Sequence, residues 1–110
     1  MTTTLSSPIA DLNDQFRKTF MGGQVFMTQG VQALGEDAVA RIVGEVRAFD
    51  RFHEDNDPYG EHDFGVLEHG GEKLFWKIDY YDKTLTYGSP DPADPSKTTR
   101  VLTILLASEY

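Results

Sequence analysis

At 110 residues, with 39% hydrophobic and 12% aromatic content, the chain is long enough for one domain around one core and too apolar for a disordered tail. The absence of cysteine removes disulfides, thiolate nucleophiles and sulfur metal sites together, and suits a reducing cytoplasm. A net charge of −8 argues against direct nucleic-acid binding, whose affinity comes largely from Lys and Arg neutralising phosphates, and favours a basic protein surface as partner.

The start, Met-Thr-Thr-Thr-Leu-Ser-Ser-Pro, has no basic and apolar leader pattern, and the aliphatic run Ile104-Leu105-Leu106-Ala107 is far too short to cross a bilayer. A cytoplasmic protein is expected, a single compact α+β domain over residues 1–110 with residues 1–7 flexible. Ser7-Pro8 places an N-cap before a proline at the first helical position, and Ile9, Leu12, Phe16 and Phe20 follow at helical spacing. The first helix is therefore predicted from Pro8 to Met21, ended by Gly22-Gly23. Gln24 to Gln29 reads as a short strand closed by Gly30.

After a turn from Val31 to Gly35, a second helix is predicted from Glu36 to Phe49, with Val39, Ile42, Val43, Val46 and Phe49 in one apolar stripe. Gly44 in its interior costs about 1 kcal/mol relative to alanine. Asp50 to Gly60 is a loop by its Asn-Asp-Pro and Gly content.

Two alternating runs, His62 to His69 and Glu72 to Tyr81, then flank Gly70-Gly71, a pair that supplies the positive φ angles of a tight hairpin turn. A two-residue loop pairs Glu68 with Lys73, Val66 with Phe75, Gly65 with Trp76 and, further out, His62 with Asp79. One face then carries Leu67, Leu74, Trp76, Ile78 and Tyr80 and is assigned to the core. The other gathers His62, Lys77, Asp79 and Tyr81 at the open end.

Beyond Asp82, Thr84 to Tyr87 is predicted as a short edge strand and Gly88 to Pro95 as a proline-stiffened loop. Asp94-Pro95 resembles a second N-cap, so Ser96 to Tyr110 is expected to be helical, although its Val-Leu-Thr-Ile-Leu-Leu run also suits a strand. The fold class is α+β: two N-terminal helices packed on a small antiparallel sheet with a central hairpin (62–69/72–81), and a C-terminal helix.

Blocks including Asn13-Asp14-Gln15-Phe16-Arg17, the run Asn56 to Gly65, Trp76 to Asp82, Ser89-Pro90-Asp91-Pro92 and Thr99 to Ile104 together resemble the proteobacterial domain-of-unknown-function family 3768, from Asn13 to Tyr110. The family carries no assigned activity, so the resemblance transfers no catalytic residue. It implies a small accessory product of plasmids and other mobile elements, where anti-restriction and anti-CRISPR genes also collect.

Three groups of residues are candidates for site chemistry. Asp55-x-Asp57-x-Tyr59-Gly60 begins like an EF-hand loop, but Tyr59 replaces an oxygen ligand and Val66 stands where the bidentate glutamate belongs. His53, His62 and His69 lack metal-ligand spacing, and Phe75 occupies the place where a metal-dependent nuclease wants an acid before Lys77. His62 opposite Asp79, beside Lys77, is the one candidate acid–base pair, with closure of the hairpin end as its plain structural role.

No metal and no cofactor are expected. Eleven acids against three lysines between His53 and Asp94 form the remaining signal. Taken with what the family resemblance implies, this charge points to a non-enzymatic acidic protein that inhibits a nucleic-acid-targeting host defence complex by occupying a basic surface. Its partner-binding residues would be Glu54, Asp55, Asp57, Tyr59, Glu61, Asp63, Asp79, Asp82, Asp91 and Asp94. The alternative is a small hydrolase or metal-dependent enzyme centred on His62 and Asp79.

Overall fold

Ser7 opens the first helix as its sequence requires: its Oγ accepts the Ala10 N–H at 2.9 Å, with Pro8 at the first helical position. The computed structural model describes residues 7–110. Residues 1–6, most of the segment expected to be flexible, lie outside the described residues. Helix α1 (Pro8–Thr19) stops short of the glycine pair because Phe20 turns left-handed at φ 58° and its N–H closes on the Phe16 carbonyl at 2.6 Å.

The buried face of α1 is Ala10, Asn13, Phe16 and Arg17, with two polar members in place of the wholly apolar stripe read from the sequence. Strand β1 (Gly23–Met27), the single-turn helix α2 (Gln29–Gln32) and helix α3 (Glu36–Arg47) follow, and Ile42 and Val46 of α3 are buried. The turn predicted at Val31 to Gly35 is thus partly helical.

Strands β2 (Phe64–His69) and β3 (Glu72–Tyr81) form the expected hairpin, in register from Phe64 opposite Lys77 to His69 opposite Glu72. Strand β4 (Thr99–Leu106) completes a four-stranded sheet of order β1-β4-β3-β2, followed by a 3-10 turn at Ala107–Glu109. The fold is α+β, with helices packed on one face of the sheet. The core joins Phe16, Ile42, Val46 and Phe49 to Leu67, Leu74, Trp76, Ile78, Leu102 and Ile104.

Three expectations are corrected. The C-terminal segment is a strand, not a helix. It lies inside the sheet between β1 and β3, so Leu102 and Ile104 are buried on one face and Val101 and Leu105 on the other. A helix over the same residues would leave part of that apolar set facing water. The cap signal at Asp94 is spent on a turn, its Oδ1 accepting from the Ser96 N–H at 2.9 Å and the Ser96 hydroxyl at 2.7 Å.

The sheet is also mixed, because β1 runs parallel to β4 while the other two pairings are antiparallel. Thr84 to Tyr87 forms no strand. Asp82 Oδ1 collects the Thr84 and Thr86 N–H groups, both at 3.1 Å, and rolls the chain into a turn that leaves only Gly88 bridging back to Tyr81. Among the described residues, no helix is long and apolar enough to cross a membrane.

Candidate functional site

Strand direction decides where the acids go. Strands β1, β2 and β4 start, and β3 ends, at one end of the sheet, so segments 48–63 and 82–98 both emerge there. Between Asp50 and Asp63 and between Asp82 and Thr98 stand nine acids against three lysines or arginines. Six of the chain's eight net negative charges are therefore gathered at one end.

A buried polar network ties these segments to α1 and β4. Arg100 Nε donates to Asn13 Oδ1 at 2.6 Å, and Arg100 Nη2 donates to the Pro92 carbonyl at 2.6 Å. Asn13 Nδ2 donates to the Glu61 carbonyl at 2.9 Å and to the Tyr80 hydroxyl at 2.8 Å. Tyr80 in turn donates to Asp63 Oδ2 at 3.0 Å. One carboxamide thus links both acidic segments to the core, and its donors and acceptor are all used.

The network shifts the titration of its members. Burial, with Asp63 beside it, pushes the Glu61 carboxyl above its ordinary value. Burial also drives the Tyr80 phenol strongly upward, so at neutral pH it remains a hydrogen-bond donor, while desolvation lowers the Arg100 guanidinium from its ordinary value.

His62 does not face Asp79. At φ 57° its backbone leaves the strand direction, and its N–H points to the Asp57 carboxylate at 3.2 Å, which also accepts the Glu61 N–H at 3.0 Å. The ring stacks on Phe52 at 4.0 Å, and Nδ1 lies 2.9 Å from Asp14 Oδ1, the oxygen that also accepts from Arg17 Nη1 at 2.9 Å. Nε2 stands 3.7 Å from Asp57 Oδ2. Asp79 pairs with Lys77 at 2.9 Å instead, and that hydrogen bond raises the Lys77 ammonium above its ordinary value.

A carboxylate on one imidazole nitrogen can orient the ring. Among the described residues, however, no serine or threonine hydroxyl bonds to His62, and neither the groove beside α1 nor the one at the end of α3 is lined by His62 or Asp79. No group of three or more His, Asp or Glu side chains is placed to hold a metal ion among those residues.

The ten expected partner-binding residues fall into two sets. Glu54, Asp55, Tyr59 and Asp91 are exposed; the Glu54 and Asp55 carboxylates have no hydrogen-bond partner among the described residues, while Asp91 Oδ1 accepts the Ala93 N–H at 3.2 Å. Asp57, Glu61, Asp63 and Asp79 are engaged as described above. Asp82 and Asp94 each spend Oδ1 on a turn, where the hydroxyls of Thr84 and Ser96 hold their carboxyls below the ordinary range.

Asn13, Asp14, Arg17, Phe52 and Arg100 were missed as site residues. The available signal was polar: Asn13 and Arg17 stand four apart on the apolar side of α1, and Arg100 adjoins the apolar run of β4. Such interruptions mark partners elsewhere in the fold.

Fold and site together define a small α+β protein with a rigidly anchored acidic end. The chain belongs to the family described as Protein of unknown function (DUF3768), whose model matches residues 27–109. That span holds every strand residue from Met27 onward but leaves out α1, and with it Asn13. Comparisons with curated proteins and with solved structures give no match.

Proposed function

We propose that this chain is a non-enzymatic binding protein whose acidic end occupies a basic surface on a nucleic-acid-handling protein. In this reading it is a mobile-element accessory that inhibits a nucleic-acid-targeting defence complex of the anti-CRISPR or anti-restriction kind. The observation that supports it is the anchoring of both acid-rich segments through Asn13, Arg100 and Tyr80 at one end of the sheet. Carboxylates held on fixed backbone lose little conformational entropy on docking and present a defined charge pattern to a groove shaped for phosphates.

Within that pattern, Glu54, Asp55 and Asp91 make the direct contacts, and Tyr59 supplies an exposed aromatic among them. Asp57, Glu61 and Asp63 keep the loop in shape. Capture of partners from a lysate of the organism carrying the gene tests this. A retained protein should be released both by raised salt and by added duplex DNA or RNA. Retention indifferent to competing nucleic acid would refute the reading.

A further inference from the structure

A groove of about 470 Å³ runs between the second half of α1 and the β3–β4 connection. Leu12, Phe16, Met21 and Pro95 give it an apolar lining, and Lys83 and Arg100 give it positive charge. None of the chain's eighteen acids lines it. Its sign is thus opposite to that of the molecule, and its volume lies in the range of small-molecule sites.

Arg100 makes this more than a local excess of charge. Arg100 is only 4% exposed, yet among the described residues no carboxylate lies within 4 Å of its guanidinium, Glu61 acting on it only from further away, whereas the other buried arginine, Arg17, pairs directly with Asp14. Nε and Nη2 are committed to Asn13 and Pro92, while Nη1 has no partner among the described residues. The guanidinium lies 5.2 Å from the Tyr80 ring centroid, and Tyr80 occupies Asp63. Buried cations are ordinarily matched by an anion, because unmatched charge in a poorly solvated place is costly.

We propose that this groove binds a small organic carboxylate with a short apolar body, which supplies Arg100 with a directly contacting counter-charge. The carboxylate accepts from Arg100 Nη1 and from the Lys83 ammonium, and the apolar body lies against Leu12, Phe16 and Met21. A bare inorganic anion would leave that apolar lining in water, and a neutral amphiphile would leave Arg100 unmatched. The site is independent of the partner proposed for the acidic end.

The test is a titration of the 15N-labelled full chain with octanoate, octanamide and inorganic phosphate, following amide chemical shifts. Octanoate should produce saturable shifts confined to residues 12–22, Lys83 and residues 98–100, with octanamide and phosphate each about tenfold weaker or worse. Lys83→Glu, at an exposed position, should weaken octanoate roughly tenfold while leaving the melting curve in place. Octanamide or phosphate binding as well as octanoate, indifference to Lys83→Glu, or scattered or absent octanoate shifts would each overturn the assignment.

Discussion

Arg100 Nε donates to Asn13 Oδ1 at 2.6 Å, joining the last strand to the first helix across 87 positions of sequence. Because Asn13 also holds the Glu61 carbonyl and the Tyr80 hydroxyl, the acidic end depends on this one carboxamide. Asn13→Leu removes the Glu61 carbonyl's side-chain donor and one hydrogen bond each from the Arg100 guanidinium and the Tyr80 hydroxyl, a loss of about 3 kcal/mol. Asn13→Asp keeps an acceptor for Arg100 and gives it a counter-charge, so its loss should be smaller. Urea unfolding of both variants checks this order.

Two glycines make opposite predictions. Gly44 lies in the interior of α3 with open space where a Cβ would go, so Gly44→Ala should stabilise by about 0.5–1 kcal/mol through helix propensity alone. Gly65 faces Trp76, and a Cβ there would collide with the buried indole nitrogen and with the Phe49 ring. Gly65→Ala should therefore destabilise by about 2 kcal/mol or more. Thermal melts of the two variants should move in opposite directions.

Two glutamates should respond oppositely to pH. The Thr28 hydroxyl at 2.6 Å, with the Leu106 and Gly30 N–H groups, holds the Glu109 carboxyl below its ordinary value of 4.5. Its folded value lies below its unfolded one, so its stabilisation is full above the unfolded value and is lost as pH falls through the folded one. Glu61 is raised by burial and by Asp63, so its contribution is present below 4.5 and is lost as pH rises through the folded value. Glu109→Gln should thus lower the Tm at pH 7. Glu61→Gln should raise it at pH 7 and leave it nearly unchanged at pH 4, where the native residue is already largely protonated.

The hairpin was legible because its information is local. Gly70-Gly71 fixes the turn, and the pairs Glu68 with Lys73 and Gly65 with Trp76 reject a one-residue slip. His62 was not legible, because alternation carries no knowledge of Asp14 on α1 or Asp57 in the preceding loop, which together pull it off the strand. Residues 99–106 were misassigned for a related reason. A continuous apolar run suits a strand inside a sheet, and one of the strands that flank this one is distant in sequence, β1 being contributed from residues 23–27. The acidic end was legible as composition, but its anchoring through Asn13 and Arg100 was not.

In the proposed function, exposed carboxylates on an anchored end bind a basic surface, without chemistry at His62. The most direct measurement is the affinity of a captured partner for three forms of the protein: native, Glu54→Lys/Asp55→Lys/Asp91→Lys, and His62→Ala, each at low and raised salt. Roughly a hundredfold loss or more is expected for the triple reversal, with a steep salt dependence for the native chain and little change for His62→Ala. Full affinity in the triple reversal, or loss confined to His62→Ala, would contradict it.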